Sequence, residues 1–234
     1  MDAHAYPRLS AWLRCSVLCA FAGVAQAEAL YLGGAEYSDK SDYVYLGRIG
    51  SLEHDQLQNG WATRLWLDRA SYRYTANGIH YRGRNVGLEA GIGYLFGQAP
   101  FTGSVFVSAL ARDTHVSPDD PGNRSQGVRG SVRLSTDLNY QINTLWTANA
   151  GASFTPLNHA YWGRLRLMRA ISDSTRVGLE LSRHGDEHYR ATQMGMVLTQ
   201  RTDGGISWGL KLGYRRQPGE GSSPYVGIEL GKSF

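Results

Sequence analysis

The amino-acid sequence predicts an all-β chain closed into a transmembrane antiparallel β-barrel of about 12 strands. Three observations point there. Apolar and polar residues alternate with period two over segments of nine to thirteen residues, the length a tilted strand needs to cross a bilayer. After residue 27 no run of 18 apolar residues occurs, so no helix is long and apolar enough to cross. Only a closed barrel then satisfies its backbone in hydrocarbon. Finally, the chain stops on a patterned strand in which Val226, Ile228 and Leu230 alternate with Gly227, Glu229 and Gly231 before Phe234. A bare edge strand invites aggregation, whereas the last strand of a barrel closes onto its first.

The start of the chain reads differently. Arg8 and Arg14 precede an apolar run over residues 17–24, and Ala25-Gln26-Ala27 follows with cleavage-site spacing. Residues 1–27 are therefore expected to be a secretory signal peptide and residues 28–234 a single barrel domain, exported to the outer membrane. Cys15 and Cys19 both fall in the leader, so the mature chain is expected to have neither disulfide nor thiolate chemistry. Removing Arg8, Arg14 and Asp2 leaves 22 Lys+Arg against 19 Asp+Glu, a formal +3, too mild to argue for nucleic acid. The 29 glycines, about 12% of the chain against a usual ~7%, are a marked excess.

Strands are expected near 29–38, 42–51, 60–75, 84–96, 101–112, 127–140, 144–154, 161–170, 175–184, 189–200, 205–216 and 224–234. Residues 85–96 place Val86, Leu88, Ala90, Ile92, Tyr94 and Phe96 on one face, against Asn85, Gly87, Glu89, Gly91 and Gly93. Over 127–140, Val128, Val132, Leu134, Leu138 and Tyr140 oppose Arg129, Ser131, Arg133, Ser135, Asp137 and Asn139. The same alternation runs through 145–154, 175–184 and 205–215. Aromatics close the apolar faces, where girdles at the membrane interfaces would fall. A β-sandwich also alternates, but it does not call for long strands whose polar faces are rich in glycine.

Connectors supply a parity test. The short turns at 97–100, 141–143, 171–174 and 201–204 follow even strands, and the longer loops at 113–126 and 217–223 follow odd ones. That places both chain ends on the periplasmic side. The segment 60–75 is ambiguous, because a hairpin at Asp68-Arg69 would break the parity.

The closing stretch, with apolar residues at alternate positions before Phe234, resembles the C-terminal signal of bacterial outer-membrane proteins; Lys232 departs from it, since an aromatic usually stands there. A second resemblance lies in the run Ser117-Pro118-Asp119-Asp120-Pro121-Gly122-Asn123. With Gly34-Ala35-Glu36-Tyr37, Tyr43-Val44-Tyr45-Leu46-Gly47, Gly60-Trp61, Arg64-Leu65-Trp66 and Ser71-Tyr72-Arg73-Tyr74, it resembles the bacterial cellulose biosynthesis protein BcsS family. These pieces span about the first half of the mature chain. The resemblance implies a non-enzymatic outer-membrane accessory of cellulose production. It implies outer-membrane lipid, cellulose or another exopolysaccharide, and the secretion machinery as partners, and brings no cofactor, metal or catalytic residue.

Candidate sites follow from the residues. Asp119 and Asp120, with Asp113 and Asn123, offer oxygens to a hard cation or to sugar hydroxyls, although Asp, Pro, Gly and Asn also build turns unaided. Ser182 and His184 share a strand face, which keeps a lipid or glycan hydrolase as the alternative function. The polar faces carry Arg129, Arg133, Arg164, Arg166, Arg176, Lys211 and Arg215 against Glu89, Asp137, Glu180 and Glu229. Two readings of them stay open: an ion-pair network that plugs a narrow lumen, or a polar conduit for a glycan. Even positions of 60–75 set Arg64, Trp66, Asp68, Tyr72 and Tyr74 on one face, and aromatic faces beside hydrogen-bonding charges suit sugar rings. Trp66, Tyr72, Tyr74, Arg129, Arg133, Asp119 and Asp120 are the expected substrate-contacting residues.

Overall fold

A computed structural model describes residues 29–53, 57, 59–123 and 125–234. The expected signal peptide, with both cysteines, lies outside the described residues. Twelve strands follow one another: β1 (Ala29–Ser38), β2 (Ser41–Ser51), β3 (Gly60–Ala76), β4 (Ile79–Gln98), β5 (Phe101–Ser117) and β6 (Gly127–Gln141). Then come β7 (Trp146–Thr155), β8 (Ala160–Ala170), β9 (Thr175–Gly185), β10 (Arg190–Arg201), β11 (Ile206–Gln217) and β12 (Gly221–Ser233). One short 3-10 turn, Pro156–Asn158, precedes β8. Every strand pairs antiparallel with its neighbours in sequence, and β12 closes onto β1 with Leu30 opposite Ser233 and Ser38 opposite Tyr225. The patterned C-terminal strand thus finds its edge partner at the start of the same barrel.

Alternation sorts the side chains. Val86, Leu88, Ile92 and Tyr94 of β4 and Val128, Val132, Leu134 and Leu138 of β6 are all exposed on the outside, while Glu89, Ser108 and Ser135 are buried inside. Each exposed aliphatic of this belt would forfeit about 1.5–3 kcal/mol in water relative to burial. A continuous apolar band around a polar interior is the reverse of a water-soluble fold and suits a bilayer.

β3 keeps the expected single strand, running unbroken through Asp68 and Arg69 with no hairpin there. Two features depart from the expected strand map. β4 starts at Ile79 rather than 84, and β5 continues to Ser117, so the expected loop 113–126 shrinks to 118–126. Arg82 pairs with Ser117 and Asn85 with Thr114 in this extension, where outward arginines interrupt the apolar alternation that marks the lower strand. The turn joining β3 to β4 is Asn77-Gly78, both with positive φ (52° and 76°), a two-residue hairpin that twists with its strands. Connector lengths also obey the parity rule less strictly than expected. The eight-residue connector 52–59 follows an even strand, and two-residue turns at 39–40 and 77–78 follow odd ones. β3 to β6 are the long strands, 15–20 residues each, and they rise as a high wall at the end opposite the termini. β2 stops there level with Tyr72 and β7 level with Leu134.

Candidate functional site: the lumen and its mouth

Inward positions of adjacent strands fall side by side, so charges spaced two residues apart in sequence meet across the lumen. Lys211 on β11 lies 3.0 Å from Glu36 on β1, 3.6 Å from Glu180 on β9 and 3.3 Å from Glu229 on β12. Arg166 on β8 bonds Glu180 and, with two nitrogens at 2.9 and 2.7 Å, both oxygens of Glu229. Arg164 joins Glu229 (3.8 Å) to Asp137 on β6 (3.4 Å). This lattice ties six strands together. A second cluster holds fully buried Glu89 between Arg64 and Arg133, each at 2.9 Å. Asp68 accepts both hydrogen bonds from one nitrogen of Arg112, at 2.8 and 2.9 Å. Charges taken out of bulk water must be paired in this way.

Beside these pairs the wall of β2 and β3 is aromatic. Tyr43 stacks on Tyr45 (5.7 Å between centroids), Tyr45 stacks on Trp66 (4.8 Å, 8°), and the Arg64 guanidinium sits 4.3 Å over the Trp66 ring. All three rings are half-buried. Glycine makes this possible: a Cβ on Gly47 would come within 2.3 Å of Trp66, and one on Gly34 within 2.6 Å of Tyr45. The glycine excess of the polar faces therefore has a packing role, giving room for large rings to lie against the wall.

At the end away from the termini the lumen is covered. Tyr74 stacks on Tyr81 (5.1 Å) and on Tyr72 (6.1 Å), and Tyr72 meets Tyr189 of the loop after β9 (5.1 Å). Loop 118–126 is clasped to this cluster: the Tyr74 hydroxyl donates to Asp120 (2.6 Å) and accepts from Asn123 Nδ2 (3.1 Å). Asp186, in the loop 186–189, accepts the backbone N–H groups of His188 (2.8 Å) and Tyr189 (2.9 Å), and burial pushes its carboxyl above the usual range.

The sequence-derived candidates thus divide. Trp66 and Arg133 line the waist, and Tyr72, Tyr74 and Asp120 build the cover. Arg129 is exposed at the rim, where its Nε donates to the Gln126 carbonyl (3.2 Å), and Asp119 is exposed in the loop. The expected grouping of Asp113 with Asp119, Asp120 and Asn123 does not form, because Asp113 belongs to β5 and faces outward while Asp120 and Asn123 turn in to Tyr74. Among the described residues no group of three or more His, Cys, Asp or Glu is placed to hold a metal ion. Ser182 donates to Gln193 (2.8 Å) and His184 bonds Tyr189 (3.0 Å), so the two are committed to separate partners. Tyr43, Tyr45, Glu36 and Arg112 escaped sequence reasoning as lumen residues. For the tyrosines the signal was present in the alternation of Tyr43, Tyr45 and Gly47 with Val44 and Leu46.

The family model described as cellulose biosynthesis protein BcsS matches residues 30–234, nearly the whole barrel. The chain belongs to the BcsS family. No curated protein matches it. Among solved structures, this BcsS-family chain resembles the deltaS2S3 mutant of the TodX monoaromatic hydrocarbon channel, at 8% identity and a TM-score of 0.58, over 92% of each chain. It also matches the COG4313 outer membrane channel from Pseudomonas putida F1, at 12% identity and a TM-score of 0.49, over 91% of this chain and 97% of that one. A further match is the KdgM porin in complex with disordered oligogalacturonate, at 10% identity and a TM-score of 0.47, over 86% and 97% of the two chains. At such identities the likeness to TodX speaks for the barrel fold and for nothing finer.

Proposed function

We propose that this BcsS-family barrel is a non-enzymatic outer-membrane accessory of cellulose production that holds a glucan along the aromatic wall of its lumen. The observation that carries the reading is the half-buried stack of Tyr43, Tyr45 and Trp66 beside Arg64 and Glu89. A β-linked glucan presents apolar C–H faces and hydroxyl edges, and aromatic faces flanked by fixed donors and acceptors match both. Its termini lie on the periplasmic side, where secretion machinery would hand over the chain, and the covered mouth faces out. The partners are outer-membrane lipid, the glucan and that machinery. A hydrolase built on Ser182 and His184 is disfavoured by their separate hydrogen bonds. The test is cellulase-sensitive extracellular glucan in a deletion strain and in the strain complemented with wild type or Trp66→Ala, with synthase levels checked. Glucan should fall on deletion, recover with wild type and stay low with Trp66→Ala. Unchanged glucan on deletion would defeat the cellulose role and leave the barrel standing.

A further inference from the structure

The outside of the covered end carries a basic surface that the lumen does not use. Arg69 and Arg73 on β3 and Arg82 and Arg84 on β4 are exposed, on the strand faces opposite inward Tyr72, Tyr74 and Tyr81. In the register Arg73 lies directly across from Arg82, and Arg84 lies between Ser71 and His115, which is also exposed. Like charges set directly opposite one another destabilise a strand pair. Arg69 has Asp42 at 3.6 Å. Among the described residues, Arg73, Arg82 and Arg84 make no side-chain ion pair or hydrogen bond. The carboxylates nearest this surface are Asp42, already bonded by Ser71, Asp113, and Glu220, which accepts from Thr75 (2.6 Å) and lies 3.9 Å from His80 at the strand tips. Immediately below on β4, Val86 and Leu88 begin the exposed apolar belt. Across the mouth, exposed Arg183 and Arg216 flank Thr192, with Arg190 beside them, above exposed Leu181, Met194 and Tyr214. Of the outward cations near the termini, Arg48 lies 6.0 Å over Tyr31 and Lys232 4.1 Å over Phe234, while Arg169 on β8 is exposed and, among the described residues, stands alone.

We propose that the Arg73, Arg82 and Arg84 surface docks the phosphate groups of a phosphorylated glycolipid in the leaflet around the covered end. Guanidinium forks match phosphate oxygens, and an anion shared by Arg73 and Arg82 relieves their opposition. The position just above the apolar belt sets the charges at head-group height while the acyl chains run down past Val86 and Leu88. This continuity with the belt favours a lipid over free phosphate. The inference rests on the outer-membrane reading and on the covered end facing out.

The test uses the full barrel purified in mild detergent, with R73Q/R82Q/R84Q, the single variant R82Q, and R169Q as a control on the outward face near the termini. The probes are bis-phosphorylated lipid A, its dephosphorylated form and inorganic phosphate. Wild type and R169Q should bind the phosphorylated lipid, the triple variant at least about tenfold more weakly and R82Q in between. The dephosphorylated form should bind poorly to all, and millimolar phosphate should not displace the lipid. Equal binding by the triple variant, equal binding of the dephosphorylated lipid, or displacement by phosphate overturns the proposal. Heat-modifiable gel migration reports folding of each variant; if the triple variant does not fold, R82Q decides. Gly78→Cys, at the tip of the β3–β4 hairpin, should be labelled by an impermeant thiol reagent on intact cells. Failure to label it would overturn the docking by placing the surface in the other leaflet, a failure of orientation rather than of the arginine geometry.

Discussion

At the waist the lumen is crossed by ion pairs whose members all stand on strands, whereas at the mouth it is covered by stacked rings joined to loops through neutral and singly charged hydrogen bonds. The difference lies in what disruption costs. A waist charge that loses its partner is left in a poorly solvated interior. A mouth contact that opens gives its loop back to water, which satisfies the same groups. The waist therefore braces the barrel, and the mouth is the part that can move without unfolding it.

The sharpest way to break this comparison is Arg166→Ala. It leaves Glu180 and Glu229 without their shared guanidinium, and the loss should reach about 3–5 kcal/mol in denaturant unfolding of the refolded barrel. A change within error would mean that water already screens the waist. Gly47→Ala comes next. Its Cβ would displace Trp66 from the wall, costing about 1–3 kcal/mol and altering the near-ultraviolet circular dichroism of the Tyr45–Trp66 stack. An unaltered spectrum would show that the ring does not rest on Gly47. The smallest effect belongs to Tyr74→Phe, which removes the hydroxyl shared by Asp120 and Asn123. It should cost about 0.5–1.5 kcal/mol, appearing as faster amide exchange in loop 118–126 with the strands unaffected. Global loosening instead would place the mouth in the barrel's main cooperative unit.

The sequence carried the barrel because period-two alternation and the bilayer constraint act within single strands. Continuity of β3, the closure of β12 on β1 and the inward set Arg64, Trp66, Asp68, Tyr72 and Tyr74 are all expressions of that local rule. It failed at 79–84 and 113–117, where the strands rise beyond the apolar belt and the outward face becomes arginine; Asn77-Gly78 was the remaining cue. Pairings across the lumen, such as Arg166 with Glu229 four strands away, depend on barrel curvature and on side-chain reach, which no local pattern encodes. The clasp of Asp120 on Tyr74 was hidden for the same reason, since a turn-forming sequence looks alike whether it points to solvent or into a mouth.

The most direct test of the central claim is calorimetric titration of the detergent-solubilised barrel with cellohexaose, comparing wild type with Tyr45→Ala/Trp66→Ala and with Tyr37→Ala on the outer face. Wild type and Tyr37→Ala should bind, and the double variant should bind at least about tenfold more weakly, in line with the worth of one or two aromatic contacts. Equal affinity in all three, or no binding to wild type, would contradict a glucan-holding aromatic wall.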